Sequence, residues 1–531
     1  MALAEEARAA PVEDRRADAL RCGTVLSGRL GPVVLEWARR RAAPLWCTLG
    51  VVAIGMAVSL LWLPLVGHAT GWLTPGDIWG TFRDAHLVGW GGEADVYQAG
   101  TGFLSPPAFP VLLAPVAMVS SALGLSASFP LYLQHPTSWL LLGPAELLCG
   151  AVVLFPVDAL ARRLGAPRAR RIAVVCACAG LSIPLLLIWG HPEDLLAVAC
   201  ALWALPAAFD RRWTKAAGLV GLGLAFQPLV VLVVPLVLAR TPRRLWARAG
   251  AMVVAPGALL LAFPILHTWR TTLHAVVDQP TFPTIGHATP WLALAPVLHA
   301  HGPAAPPWAG RLFATSTETT AGGPERLLAI AVALLVGVLA ARTRPSEPTT
   351  VWLAAVCLSL RCVFESVMFP YYVVPALLLA VLCASCVPRW RSEFLFGVAA
   401  ACSWAAYLHA SPWTYDLAVT GLLLLACVLA VPARRGAAVQ RAGDPAGGGA
   451  PLGSKGSRVA PQLGSVRGAG GLAAAGEAAL DVGASEVAAC DAGAFDAGAC
   501  DPGAPEVRRV DAEVEAAACT LDGVVAGAAE P

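Results

Sequence analysis

Charge is what this sequence has least of. Acidic and basic residues make up 14% of the chain, 57% is hydrophobic, and the mean hydropathy is +0.66. A soluble fold of 531 residues has too little interior to hide that much apolar surface, because buried volume is bounded by chain length. The surplus must face lipid, which excludes a soluble enzyme and leaves no case for a nucleic-acid partner. Basic residues are missing altogether between Arg83 and Arg162. A cleavable leader is not expected, because the first apolar run, Leu45–Val66, is too long for one and lacks a cleavage site. A disulfide framework is not expected either. Of the 15 cysteines, Cys47, Cys149, Cys176, Cys178, Cys200, Cys357, Cys362, Cys383, Cys386, Cys402 and Cys427 fall in or beside apolar runs. Cys383-x-x-Cys386 has the spacing of a redox or metal pair but reads as two small apolar residues of a lipid-buried helix.

What the chain does have is a series of uncharged runs separated by arginines. Leu45–Val66, Ile172–Trp189, Ala249–Leu266 and Pro370–Val387 are near the roughly 20 residues that a crossing helix needs. Leu195–Phe209, Leu327–Ala341, Val351–Leu360, Phe394–His409 and Leu417–Ala433 are shorter and must borrow flanking residues. Arginine clusters at 162–171, 211–215, 240–248, 342–344, 389–391 and 434–435 mark cytoplasmic loops by the positive-inside rule. Placing all of them inside requires two stretches not to cross. One is Ala108–Leu125, whose Pro106, Pro107, Pro110 and Pro115 suit a re-entrant or juxtamembrane element. The other is Ala216–Ala239, flanked by arginines and broken at Gln227-Pro228, which reads as a hairpin dipping from the cytoplasm, with a single crossing as the alternative. Trp139–Leu160 then returns the chain inward.

The expected architecture is an all-α polytopic membrane protein with about ten transmembrane helices plus re-entrant or juxtamembrane segments. Both termini lie in the cytoplasm of a cell membrane. Residues 1–44 form a cytosolic N-terminal segment and 45–435 the transmembrane domain. Residues 436–531 hold 6 basic and 13 acidic residues. They form a Gly/Ala-rich tail with too little apolar mass to offset the entropy of folding, and disorder is expected there.

Ionisable residues concentrate in segments assigned to the outer face. Asp77, Asp84, Glu93 and Asp95 follow the first run, interleaved with Trp79, Phe82, Trp90 and Tyr97. A carboxylate there can act as general base toward a hydroxyl or hold a divalent cation; a solvated loop with interfacial aromatics is the plainer account. His191, Glu193 and Asp194 open the run Leu195–Phe209. Pro192 and two acids in a first turn stabilise a helix start by preset φ and by the helix dipole. The same residues can instead serve a donor phosphate or sugar, with or without a cation. Arg361 and Glu365 are spaced to pair along one helix face, and an arginine at that depth also suits a lipid phosphate. Glu146 lies inside an apolar run, so it must face the bundle or a cavity, or carry a proton. His287 is a further outer-loop candidate or an interfacial anchor.

The order of these features along the chain resembles a known family. Asp77 is followed by Phe82 and Ala85, a glycine-rich stretch, Tyr97, and then Phe103-Leu-Ser-Pro-Pro-Ala-Phe-Pro-Val-Leu-Leu-Ala-Pro. This is similar to the polyprenol-phosphate-mannose-dependent mannosyltransferases of the GT-C superfamily, in which an Asp after the first helix precedes an aromatic-Pro-Pro juxtamembrane segment. Gly190-His-Pro-Glu-Asp194 stands where that family has Gly-Gln-x-Asn. Ala217-Gly218-Leu-Val-Gly221-Leu-Gly-Leu-Ala225-Phe-Gln227-Pro228 stands where it has Ala-Gly-x-x-x-Gly-x-Ala before Lys-Pro, with Gln227 in place of the lysine. The resemblance spans roughly residues 45–390. It implies a GT-C-like fold and transfer of a sugar, mannose in the family, from a polyprenyl-phosphate donor to a glycan or lipid acceptor outside the membrane. It implies Asp77 as the catalytic base with Asp84 as the second choice, and a donor site near His191, Glu193, Asp194, Gln227 and Arg361. A multi-pass transporter and a non-catalytic membrane protein are the alternatives. Few paired charges in the spans and the lack of an evident inverted repeat weigh against the transporter.

Overall fold

A computed structural model describes residues 41–65, 72–97, 106–125, 136–273, 275–276, 287–294, 297–299, 318–320, 324–408 and 410–433. The chain divides into two units, Met1–Arg434 and Arg435–Pro531, and all described residues belong to the first. Nearly all of the N-terminal segment and the whole C-terminal tail lie outside them.

The first unit is an all-α polytopic membrane protein. Its helices, in chain order, are α1 (Ala42–Leu65), α2 (Asp77–Gly89), α3 (Ala108–Ala122), α4 (Trp139–Ala151), α5 (Leu154–Arg163), α6 (Arg168–Pro184), α7 (Pro192–Phe209) and α8 (Trp213–Phe226). They continue with α9 (Val234–Arg240), α10 (Trp246–Leu273), α11 (Pro324–Thr343), α12 (Glu347–Phe364), α13 (Val373–Cys383), α14 (Arg389–Ala405) and α15 (Pro412–Leu429). Short strands pair in two places, His287–Ala288 (β1) with Val367–Met368 (β4), and Val297–His299 (β2) with Glu318–Thr320 (β3). Eight helical stretches are long and apolar enough to span a bilayer, α4 and α5 forming one of them. Shorter apolar helices, Ala108–Ala122, Trp213–Phe226, Pro228–Arg240 and Pro370–Cys386, accompany them.

One end of the bundle is tied by arginines. Arg163 reaches Asp210 after α7 and Glu347 at the start of α12, at 2.7 and 2.8 Å. Arg163 and Arg240 both stack on Phe209, and Arg171 pairs with Asp158 at 2.6 Å. Arg41 donates to the Phe155 carbonyl, Arg170 to that of Val387, and Arg391 to those of Val428 and Leu429. Arg391 thereby closes the last turn of α15, where carbonyls are left without helical partners and the helix dipole favours cations.

The arginines also define the segment 213–240. α8 starts at the basic end and runs antiparallel to α7 for 14 residues, roughly 21 Å. At its tip Gln227 reaches Asp194 in the first turn of α7, 2.6 Å away. Pro228 breaks the helix, and α9 returns so that Arg240 bonds Thr350 at 2.6 Å and the Pro345 carbonyl. The segment is therefore a hairpin that enters and leaves at the basic end. Its depth comes from close packing: an added Cβ at Gly221 would lie 2.6 Å from the Met252 and Val253 carbonyls of α10.

At the opposite end α3 is a continuous 15-residue helix despite Pro115. It is too short for the bilayer core and packs along α2, as a juxtamembrane pair. Apolar exposure separates core from rim. α13 is buried along its whole length, whereas α1, α10, α11 and α15 present residues such as Ile54, Leu61, Leu259, Phe263, Leu334, Leu335, Leu417 and Val428 outward. Outward-facing apolar rows on helices that satisfy their own backbone are what a lipid solvent demands.

Two outcomes check this arrangement. Gly221→Ala separates α8 from α10 and lowers stability in detergent by about 1–3 kcal/mol, the usual range for overpacking. Gly250→Ala, with open space around it, is neutral or gains a few tenths. Cysteine labelling from one face of sealed vesicles reaches Arg168, Pro345 and Arg389 together, and Glu93 only from the other face.

Candidate functional site

Opposite the arginine-tied end, the helix starts and ends gather most of the ionisable residues singled out from the sequence. The local chain path explains how. α6 widens at Leu185–Trp189 into a π-turn and is stopped by Gly190 in the left-handed region, φ 74°. Such turns are frequent at functional sites because they re-aim the residues beside them. A side chain at Gly190 would sit 3.0 Å from Pro75 Cβ and from Ile78 Cβ. The absence of a side chain therefore lets the start of α2 lie directly on the turn between α6 and α7. Farther back, Ser59 of α1 bonds the Leu73 carbonyl and accepts from Trp139 Nε1, at 2.6 and 2.7 Å, which pins the approach to α2.

This close approach brings Asp77 to His191. The ring Nε2 lies 2.9 Å from Asp77 Oδ2, and Nδ1 lies 2.6 Å from Glu193 Oε1. Tyr371 stacks on the imidazole at 4.3 Å, almost parallel. Burial disfavours charge on the ring, but Glu193 and Asp77 outweigh it and hold the pKa well above the ordinary histidine value. With a carboxylate oxygen facing each ring nitrogen, the arrangement favours the cationic ring, which donates from both. Bonded in this way it has no lone pair for a metal, so a cation at this point would require one of these bonds to be given up. The Asp77 side chain is 56% exposed, whereas that of Glu193 is 2% exposed.

The neighbouring residues extend the cluster. Asp194 is buried and accepts from Gln227. Arg361, in the last turn of α12, lies over the Tyr372 ring at 3.5 Å and 3.8 Å from Glu365. Asp194 is close enough for its charge to act on Arg361. Tyr371 and Tyr372 meet edge to face at 4.8 Å, so Asp77, His191, both tyrosines and Arg361 form one contiguous path. Trp189 and Phe369 complete an aromatic wall. Glu146 of α4 is fully buried beneath, with neither oxygen hydrogen-bonded among the described residues.

Other sequence candidates fall elsewhere. Asp84 lies two turns along α2 from Asp77 and is buried rather than solvated, with Arg83 at 3.6 Å as its only close cation among the described residues. Burial pushes its carboxyl up to about 8, against a smaller downward pull from Arg83. Glu93 and Asp95 form a 3-10 turn after α2. His287 pairs with Met368 across the two-residue sheet and stacks on Tyr415 at 4.0 Å.

The structure adds residues that sequence reasoning does not single out. Arg326, at the start of α11, donates twice to Glu365 Oε1, at 2.9 and 2.6 Å. Tyr371, Tyr372 and Trp189 read from sequence as ordinary interfacial aromatics. Only the aromatic density of Phe369-Pro-Tyr-Tyr372 at the start of an apolar run hints at a wall.

The raised pKa of His191 has a definite pH consequence. Its charge stabilises the fold in full below the unfolded histidine value, and the contribution is lost as pH rises through the higher folded value. Labelled-histidine NMR in detergent shows the ring cationic at neutral pH, and Glu193→Gln brings its titration back toward the ordinary range. A neutral ring in the native protein at pH 7 would contradict this account of the site.

No protein-family model matches this sequence, and no curated protein aligns with it.

Proposed function

We propose that the chain is a membrane glycosyltransferase that moves a sugar, mannose by resemblance, from a polyprenyl-phosphate donor to a glycan or lipid acceptor. The observation that carries the reading is the hydrogen-bonded series Asp77–His191–Glu193 at one end of an apolar bundle, contiguous with Arg361. The positive-inside rule puts the arginine-tied end in the cytoplasm, so the site faces outward across a cell membrane and both termini face inward.

The chemistry needs a base for the acceptor hydroxyl and a cation for the phosphate that leaves with the bonding electron pair. Asp77 meets the first requirement. Its Oδ2 is held by His191, and Oδ1 is placed to receive the hydroxyl proton as the new glycosidic bond forms. His191 cannot be the base, because it already carries a proton on each nitrogen. Its part is to orient Asp77, with Glu193 holding the ring from behind. Arg361 meets the second requirement through its guanidinium, as the bond from the anomeric carbon to the phosphate oxygen breaks. The aromatic wall supplies faces for a sugar ring or a prenyl chain. Support for a transporter comes from Glu146, which is buried in a span and without a hydrogen bond among the described residues.

Transfer from polyprenyl-phosphate sugars in membranes decides the matter. Asp77→Asn keeps the size of the side chain and removes the proton acceptor, so the rate falls roughly 100- to 10,000-fold, the usual loss for a general base. Asp84→Asn leaves transfer nearly unchanged. It also removes the fall in stability that a buried carboxyl with a raised pKa imposes between the unfolded and folded values. Full transfer by Asp77→Asn would rule this mechanism out.

A further inference from the structure

Two thiols from different helices face each other in the basic half of the bundle. Cys47 of α1 and Cys176 of α6, 129 positions apart, hold their sulfurs 3.7 Å from one another. Cys178, Cys362, Cys402 and Cys427 instead place theirs near an oxygen: the carbonyls of Leu378, Tyr372 and Val419, and the Ser359 hydroxyl. A disulfide has an S–S bond of about 2.05 Å. Closing the pair therefore takes a shift of less than about 2 Å, shared between two side chains.

A third helix keeps these two in register. Arg41, just before α1, donates to the Phe155 carbonyl, and Arg171, in the first turn of α6, pairs with Asp158 at 2.6 Å. Phe155 and Asp158 lie about one turn apart on α5, so α1 and α6 start from neighbouring anchors. Close packing fixes α1 farther along, where a Cβ added at Gly55 would lie 2.8 Å from Leu147 Cδ1 of α4. Cys47 is six residues past Arg41 and Cys176 five past Arg171, roughly 7 to 9 Å along an α-helix. That depth puts both sulfurs in the apolar layer. Cys176 is exposed and Cys47 half-buried, and what faces them there is lipid.

We propose that Cys47 and Cys176 are a redox-active dithiol, which a lipid-soluble quinone closes into a disulfide between α1 and α6. The site is independent of sugar transfer. Depth selects the oxidant, because a charged or strongly hydrated one is costly to bring into hydrocarbon. One thiol loses its proton and adds through sulfur to a ring carbon of the quinone; the other, deprotonated in turn, attacks that sulfur. The S–S bond forms as the S–C bond breaks, the bonding pair stays on the ring, and the two protons end on the oxygens of the quinol. Two thiols and one quinone thus give one disulfide and one quinol. The disulfide carries no charge, as its surroundings require. Closure ties α1, which presents Ile54 and Leu61 to lipid, to α6, which buries Val174, Val175 and Cys178 in the core.

The full-length protein in nanodiscs is treated with a short-chain, fully substituted benzoquinone, remaining thiols are alkylated, and peptides are read by mass. A peptide pair joined through Cys47 and Cys176 is expected, and dithiothreitol returns both thiols. Cys47→Ala and Cys176→Ala each abolish the bridge. Cys178→Ala, two residues from Cys176 but turned toward Leu378, leaves it in place. Ferricyanide, a charged oxidant, forms the bridge many-fold more slowly than the quinone, and equal rates would overturn access through lipid. Copper-phenanthroline oxidises thiol pairs within reach whatever their natural oxidant, so it tests the geometry alone. A bridge with copper and none with the quinone overturns the quinone assignment. No bridge with either reagent, or quinone-linked bridges elsewhere with Cys47 and Cys176 still free, overturns the pair itself. The wild type supplies each of the oxidant comparisons, so a variant that misfolds leaves the test standing.

Discussion

An ionised ring sandwiched between two carboxylates is stable only where something else supplies the geometry, and His191 shows what that requires. Glu193 holds it from the first turn of α7, Asp77 meets it from the start of α2, and Tyr371 covers its face. Three chain segments distant in sequence are fastened through one imidazolium. Without that charge, Asp77 and Glu193 would repel each other across a partly apolar site, where screening is weak. The close contact at Gly190 and the π-turn before it are the backbone conditions for the same contact. They are strained or restrictive features at a site, which is where such features are tolerated.

The two ends of the bundle divide the charged residues by purpose. At the basic end, arginines bond loop and helix-end carbonyls, the partly exposed Asp210 and Glu347, and the buried Asp158. The energy of such exposed pairs is small, and their effect is to register loops. At the site end Glu146, Glu193, Asp194 and Glu365 are buried, and the first three keep an oxygen that is unbonded among the described residues. Buried polar groups without partners cost stability. Their concentration in one place, rather than along the lipid-facing helices, is the arrangement expected of groups retained for binding or chemistry.

Much of the architecture is legible in the amino-acid sequence. Spans, arginine-flanked turns and the non-crossing segment near Pro106 can be read there because hydropathy and loop charge act locally, residue by residue, in a lipid solvent. Gln227-Pro228 reads as a break, and the hairpin it caps is present. The helix-start character of Pro192-Glu-Asp194 is visible too, and is compatible with a place in the site. Asp84 is different: it reads as an exposed loop carboxylate and is buried. Its helix is amphipathic and turns that residue inward, a matter decided by which face α3 covers.

The sequence by itself determined a membrane-spanning, all-helical chain, the positions of its turns, and the candidate status of Asp77, His191 and Arg361. Lipid imposes those features on any segment with that composition, without reference to its neighbours. Only the tertiary structure decided that Asp77 and His191 touch, that Gln227 reaches Asp194, and that Arg326 shares Glu365 with Arg361. Each of those contacts joins residues tens to more than a hundred positions apart. The contacts depend on helix packing distances set by small residues such as Gly190 and Gly221, and nothing in the local pattern of either partner encodes the distance between them.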